Sequence, residues 1–168
     1  DVANSLNSLG QFYKLQGNYA KAEPLLVRSL AIREKVLGRE HPDVASSLNN
    51  LAGLYRSQGN YTKAEPLYTR TLAIYEKVLG SEHPDVAISL NNLAVLYSEQ
   101  GNYKKVEALL LRALAIWEKV LGSEHPLVAT NLSNLAAIYS EQGNYAKAEP
   151  MLVRALSIRE KALGKEHP

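Results

Sequence analysis

The sequence lacks cysteine altogether, and its 168 residues include only one methionine, one tryptophan and one phenylalanine. Without cysteine neither a disulfide framework nor a thiolate metal site can form, which fits a reducing compartment and leads us to expect a cytoplasmic protein. No apolar run approaches the ~20 residues that cross a bilayer, and no signal-peptide core lies near the start. We therefore expect no membrane partner.

An excess of charge of one sign is also missing. Nineteen lysines and arginines face seventeen acidic residues, so the formal net charge is +2, and charged residues make up 21% of the chain. Because the positive charges are interleaved with glutamate rather than run together, nothing in the sequence favours nucleic acid as a partner.

What the sequence does contain is a repeat of 42 residues. Rows 1–42, 43–84, 85–126 and 127–168 use the whole chain without insertion, and half of the 42 columns are identical in all four rows. Self-similarity at such a period indicates stacked supersecondary units, none of which could bury its apolar face alone. We expect one repeat domain over residues 1–168, either a piece of a longer array or a designed sequence, with its function on its surfaces.

Each repeat carries two helical patterns, which we name helix A and helix B. In the second repeat Leu48, Leu51 and Tyr55 lie at helical spacing, and this stripe ends at Gly59, after which Asn60 can cap the next helix. The short turn makes the two helices antiparallel. The expected A helices are near 2–16, 44–58, 86–100 and 128–142, and the B helices near 19–37 and its 42-residue translates.

The order of small and large residues resembles that of tetratricopeptide repeats, and the matching residues are Leu48, Leu51, Ala52, Tyr55, Gly59, Tyr61, Ala64, Tyr68 and Thr71. The usual period is 34. Here helix B is longer by about two turns, and the phrase LNNLA recurs at 48–52 and 90–94, which is similar to the kinesin light chain type. The resemblance covers the whole chain. It implies an all-α, right-handed superhelical solenoid of four antiparallel helix-turn-helix repeats, in which the A helices line a concave groove that binds extended peptide segments of other proteins.

Four histidines invite a metal or acid-base interpretation, because each follows glutamate and precedes proline: His41, His83, His125 and His167. Equivalent residues of adjacent repeats should lie ~10 Å apart, whereas the ligands of one zinc converge to ~2 Å from the ion. We interpret these histidines as turn and cap residues and expect no metal and no cofactor. No serine lies on a strained glycine-flanked turn either, so enzyme activity is not expected.

A basic edge runs along the B helices at Arg28, Arg70, Arg112 and Arg154, with lysines nearby. It could bind anions. The interpretation we favour is that it faces the glutamate edge of the adjacent repeat, where exposed ion pairs contribute ~0 to 1 kcal/mol each.

Asparagines in the middle of the A helices are the sharpest sign of a binding site. Asparagine is a poor helix former, yet its carboxamide can pair in both directions with a peptide unit of an extended ligand. The alternative is that these side chains link neighbouring A helices by hydrogen bonds. In the predicted groove Lys14 and Arg56 would attract acidic residues, and Ile88 and Val95 would offer an apolar patch. The candidate asparagines are Asn7, Asn49, Asn50, Asn91, Asn92 and Asn134.

Two functions remain open. Side-chain variety in columns 4, 11 and 14 of the repeat favours a protein-interaction module that binds a protein or peptide ligand in the groove. Apolar side chains at the two ends, such as Phe12, Leu152 and Leu156, favour a structural array that self-associates end to end, because arrays of this kind need polar caps for solubility.

Overall fold

A computed structural model describes residues 1–164, which contain eight α-helices and no strand. The all-α prediction is confirmed, and each predicted helix boundary lies within two residues of the observed one. The odd-numbered helices are the A helices and the even-numbered ones the B helices. They are α1 (Val2–Leu15), α2 (Tyr19–Leu37), α3 (Pro42–Ser57), α4 (Tyr61–Leu79), α5 (Pro84–Glu99), α6 (Tyr103–Leu121), α7 (Pro126–Glu141) and α8 (Tyr145–Leu163).

The helices form two compact units, which we call the first unit, Asp1–Ser81 with α1 to α4, and the second unit, from Glu82 onward with α5 to α8. Each unit contains two helical hairpins, and each hairpin is one repeat. In the first unit α2 packs on α3, and α1 also contacts α3. In the second unit α6 packs on α7.

The A helices of repeats two to four begin at a histidine cap. The imidazole Nδ1 of His41 accepts a hydrogen bond from the backbone N–H of Asp43 at 3.1 Å, and His83 and His125 make the equivalent bond at 3.2 Å. A proline follows each cap at the first helical position, where its missing N–H would have no partner. The predicted cap role is confirmed for these three, whereas His167 lies outside the described residues. Within residues 1–164 no group of three His, Asp or Glu residues could hold a metal ion.

The turn between helices A and B depends on glycine. Gly59 has φ +71°, a left-handed conformation that costs glycine little, and its equivalents in the other repeats have φ +72°. Asn60 follows, and its side-chain oxygen accepts from the Lys63 backbone N–H at 3.2 Å, so the predicted cap is observed.

The first two hairpins are closed by small residues and by a buried hydroxyl. Ala52 and Ala64 are fully buried, as the resemblance to tetratricopeptide repeats implies. The Ser29 hydroxyl on α2 donates to the Ala3 carbonyl of α1 at 2.7 Å, and Thr71 donates to the Ala45 carbonyl in the next hairpin at 3.3 Å. The core is thus one layer of small and branched side chains per hairpin. No helix in the described range has the length and apolar character needed to cross a membrane.

Candidate functional site on the A helices

All ten side chains predicted to line a groove lie on A helices. We call the solvent side of α1 and α3 the first A-helix face and that of α5 and α7 the second A-helix face. The first face carries Asn7, Lys14, Asn49, Asn50 and Arg56, and the second carries Ile88, Asn91, Asn92, Val95 and Asn134.

Two pairs of asparagines connect neighbouring A helices. In the first unit the Asn50 amide donates to the Asn7 side-chain oxygen at 2.9 Å. In the second unit the Asn131 amide donates to the Asn91 side-chain oxygen at 3.0 Å. The structural alternative for the asparagines therefore describes part of what they do, since each pair fixes the distance between two A helices.

Asn131 was missed by sequence reasoning. Its column contains serine in the other three repeats, and two of those serines, Ser47 and Ser89, are buried like Asn131 itself. The change from serine to a larger carboxamide at a buried position was the available signal. The Asn131 oxygen is buried and has no hydrogen-bond partner within residues 1–164. Asn131 thus forms the hydrogen bond to α5, whereas the predicted Asn134 remains exposed.

The Asn7–Asn50 bond does not exhaust either side chain. A carboxamide has two N–H donors and an oxygen that can accept twice. The bond uses one donor of Asn50 and one acceptor position of Asn7. Both side chains are half-buried, so the amino group of Asn7 and the oxygen of Asn50 lie where an extended peptide backbone could reach them.

The first A-helix face is basic, and a lysine fills the space between its helices. A Cβ built on Gly53 of α3 would lie 2.9 Å from Lys14 Nζ, so the lysine reaches from α1 across α3. Burial lowers the pKa of Lys14 below its ordinary value, and the nearby Arg56 charge lowers it further. Gly53 is buried under this side chain, which explains the absence of a larger residue there.

The second A-helix face has a cavity at the corresponding place. Its volume is about 190 Å³, and it lies between α5 and α7 above α6. We call it the α5–α7 cavity. Its apolar lining includes Val106 and Leu110, and no cationic side chain contributes to it. The lining residues are Ala94, Val95, Ser98, Glu99, Val106, Leu110, Asn134, Ala137, Ile138 and Glu141.

Substitutions in two columns account for this cavity. Ser98 occupies the column of Lys14, and Ala137 occupies the column of Gly53, so no long side chain crosses from α5 to α7. Val106 stands where the other repeats have alanine, and it is buried in the cavity floor without filling the space. Ile88 and Val95 are exposed, at 46% and 39%, and Val95 also lines the cavity.

Carboxylates stand at the rim of this cavity. Glu99 and Glu141 both line it. The Glu141 carboxylate acts on the nearby Tyr103 hydroxyl as a hydrogen-bond acceptor and as a negative charge, and it raises the pKa of Tyr103 above its ordinary value. The second face is therefore acidic where the first is basic.

The basic edge of the B helices meets the glutamate edge of the preceding repeat, as the favoured interpretation predicted. Arg70 lies 2.6 Å from Glu34 in the first unit, and Arg154 lies 2.6 Å from Glu118 in the second. These arginines are partly exposed, so each pair contributes only ~0 to 1 kcal/mol and serves mainly to set the register.

A tyrosine contact between repeats was not anticipated from the sequence. The Tyr55 hydroxyl donates to Glu23 at 2.8 Å, and the Tyr139 hydroxyl donates to Glu107 at 2.6 Å. Burial and then the bonded carboxylate raise the pKa of each tyrosine to about 12. A lysine of the same hairpin lies over each ring, 4.8 Å from its centroid. Each carboxylate thus joins one repeat to the next.

Comparison with solved structures shows the same fold in other proteins. BtubC (BKLC) from P. vanneervenii has 29% identity and a TM-score of 0.87 over 99% of this chain, which covers 66% of that protein, just under two thirds. The kinesin light chain-type TPR-like repeats of Podosopora anserina have 34% identity and a TM-score of 0.85, covering 98% of this chain and 78% of theirs. RapI, at 22% identity and a TM-score of 0.79, covers 95% of this chain and 43% of its own and shows the fold alone.

A search of curated proteins found no match. The family model described as tetratricopeptide repeat matches residues 1–77, 43–116 and 107–161. These matches reach across nearly the whole chain. The chain belongs to the tetratricopeptide repeat family and is of the 42-residue, kinesin light chain-like type.

Proposed function

We propose that this chain is a protein-interaction module whose A-helix faces bind an extended peptide segment. Members of the tetratricopeptide repeat family are generally protein-interaction scaffolds. The observation that carries the proposal is the second A-helix face, where the exposed Asn134 stands at the rim of the apolar α5–α7 cavity. A polar group beside an apolar depression offers both orientation and burial to a ligand.

The paired asparagines make binding along these faces energetically reasonable. A side-chain hydrogen bond contributes ~0.5 to 1.5 kcal/mol net, so several are needed, and ordering flexible groups would cancel much of the gain. The Asn7–Asn50 and Asn91–Asn131 bonds hold these amides in place before a ligand arrives. The structural role and the binding role of the asparagines therefore support each other.

Selectivity follows from the side chains around the asparagines. Lys14 and Arg56 on the first A-helix face favour acidic residues of a ligand, although the lowered pKa of Lys14 shows that its charge is already disfavoured. Ile88 and Val95 are exposed on the second face and favour apolar contacts.

The test is a double substitution within the second unit, Asn91→Ala with Asn134→Ala, assayed by fluorescence anisotropy. The probe is the tightest binder from a library of capped hexapeptides. We expect binding to weaken about tenfold, because two hydrogen bonds to the ligand are lost. The control, Lys104→Ala with Glu149→Ala, alters exposed side chains of α6 and α8 and should bind like the parent chain. A lower melting temperature with unchanged affinity would show that the asparagines are structural only.

Unpaired charges favour a second function, end-to-end self-association. Inside each unit the basic edge is paired, but Lys21 and Arg28 on α2 have no carboxylate partner in the described part of the chain, and Glu149 and Glu160 on α8 have no cationic one. Phe12, 52% exposed, lies on α1 of the same hairpin as the first set, and the exposed Leu152 and Leu156 lie on α8 with the second. A head-to-tail contact would pair Arg28 with Glu160 as Arg70 pairs with Glu34.

Charge reversal tests this contact by sedimentation velocity over a wide concentration range. Arg28→Glu and Glu160→Arg should each weaken association, and a mixture of the two single variants should restore it, because the reversed charges are again complementary. A parent chain that stays monomeric at every concentration would contradict this second function and leave the peptide-binding proposal unaffected.

A further inference from the structure

We propose that the α5–α7 cavity binds a lysine or arginine side chain of the peptide ligand, with its aliphatic stem inside and its cationic end at the rim. The inference rests on the proposed peptide-binding function and adds the chemistry that one position of the ligand must have. Nothing in the repeat pattern itself requires it, because the cavity arises at the variable positions of Ser98 and Ala137.

The size and lining of the cavity suit a long, narrow side chain. A volume of about 190 Å³ equals that of about six water molecules. Its floor is apolar, with Val106, Leu110 and Ile138 almost fully buried beneath it. Water gains few hydrogen bonds against such a floor, whereas methylene groups lose no polar partner when they enter it.

The negative charge at the rim favours a cationic group at the end of that side chain. Glu99 and Glu141 line the cavity, and no lysine or arginine does. A carboxylate has two oxygens that accept hydrogen bonds, so Glu141 can pair with a cationic group at the rim. A lysine or arginine with its stem in the cavity would place its cation near these carboxylates while keeping it accessible to water, the arrangement such side chains commonly adopt. A glutamate ligand would be repelled.

The first unit supplies an internal precedent. By the 42-residue period Lys14 corresponds to Ser98, and Gly53 corresponds to Ala137. The Lys14 side chain already occupies the space between α1 and α3 and reaches over Gly53. Two adjacent A helices of this chain therefore accommodate a lysine stem at this position. In the second unit the chain's own lysine is replaced by serine, and the rim carries carboxylates in place of Arg56's positive charge.

The experiment uses a positional-scanning library of capped hexapeptides, in which each position is fixed in turn as lysine, arginine, norleucine or glutamate. The 168-residue chain is compared with Ser98→Lys, which fills the cavity from within as Lys14 does in the first unit. We expect the parent chain to prefer lysine or arginine over norleucine about fivefold at one position, the upper range for an exposed ion pair. Ser98→Lys should abolish that preference at an unchanged melting temperature.

Two further variants keep the result interpretable. Glu141→Gln should reduce the preference for lysine without loss of norleucine binding, because only the charge is removed. Lys14→Ser opens the corresponding space in the first unit, where Arg56 supplies a positive charge, and should add norleucine binding without lysine preference.

The outcomes separate the two proposals. If norleucine binds as well as lysine at every position, the lysine site is wrong while the peptide-binding function stands. If Ser98→Lys folds normally and keeps the lysine preference, the cavity is not where that side chain binds. If no library member binds, the peptide-binding function fails, and the lysine site fails with it.

Discussion

The two A-helix faces have the same helices, caps and turns, and they differ in what lies between those helices. On the first face Lys14 covers Gly53, and on the second face Ser98 and Ala137 leave the α5–α7 cavity open. Twenty-one columns, half of the repeat, are identical in all rows, and these build the scaffold. The difference shows that the side chains of a few variable columns decide whether the same scaffold presents a closed basic surface or an open acidic one.

The asparagines show the same division. In the first unit Asn50, from the eighth column of the repeat, pairs with Asn7. In the second unit Asn131, from the fifth column, pairs with Asn91. Asn134 in the eighth column is then left beside the cavity. One substitution, serine to asparagine at position 131, takes over the structural bond and leaves the Asn134 carboxamide exposed beside the cavity.

The largest expected effect compares packing under the two faces. Leu26→Ala and Leu110→Ala remove equivalent buried side chains, and truncation of a buried leucine costs ~2 to 5 kcal/mol. Leu26 is tightly packed, since a Cβ built on Gly10 would lie 2.7 Å from its Cδ2, whereas Leu110 already lines a cavity. We expect the loss of unfolding free energy, measured by urea unfolding, to lie near the upper end of this range for Leu26→Ala and near the lower end for Leu110→Ala. An equal loss of unfolding free energy would contradict the packing difference.

A smaller loss of unfolding free energy, caused by removing one tyrosine hydroxyl, should be equal in the two units. Tyr55→Phe and Tyr139→Phe each remove a hydrogen bond to a glutamate of the preceding repeat, at a cost of ~0.5 to 1.5 kcal/mol. Because these tyrosines belong to the invariant scaffold, the two variants should lose similar free energies of unfolding. A clear loss in only one unit would show that the scaffold is not equivalent in both.

The same tyrosines predict how stability depends on pH. Their pKa is about 12 in the folded chain, against an ordinary 10.0. The folded state therefore holds more protons than the unfolded state between these values, so stability falls as pH rises through that window. This contribution is fully present below pH 10. An ultraviolet absorbance titration should show late-ionising tyrosines, two of which disappear in the phenylalanine variants, and ionisation of Tyr55 and Tyr139 at the ordinary pKa would contradict the contact.

Lys14 predicts the opposite pH dependence, confined to the first unit. Its pKa is lowered in the folded chain, so its charge is unfavourable there at neutral pH, and this cost is relieved as pH rises towards 10.5. Lys14→Met should therefore raise the melting temperature at neutral pH and lose that advantage in alkaline solution. Ser98→Met is the matched control, whose effect should not change with pH over the same range.

The smallest effect concerns the ion pairs between the basic edge of the B helices and the glutamate edge of the preceding repeat. Arg70→Ala and Arg154→Ala each break a partly exposed pair and should change the free energy of unfolding by ~0 to 1 kcal/mol, less at high salt. Both units should respond alike, because the pairs repeat with the scaffold. A large loss of unfolding free energy in either variant would mean that these ion pairs stabilise the fold as well as setting the register of the repeats.

The helices, the histidine caps and the glycine turns could be predicted because they depend on neighbouring residues in the sequence. His41 caps α3, which starts one residue later at Pro42. Gly59 lies two residues after the last residue of the same helix and ends it. The cavity could not be predicted, since it requires that Ser98 and Ala137, on different helices, both fail to fill one space. The Tyr55–Glu23 bond likewise joins residues 32 positions apart.

Binding of peptides to the A-helix faces is tested most directly by an amide chemical-shift map of the isotope-labelled chain, titrated with its tightest capped hexapeptide. We expect the largest shifts on α5 and α7 around Val95, Asn134 and Ala137, with the outer surfaces of α6 and α8 unchanged. Shifts confined to α6 and α8, or an unchanged spectrum at saturating peptide, would contradict binding at these faces.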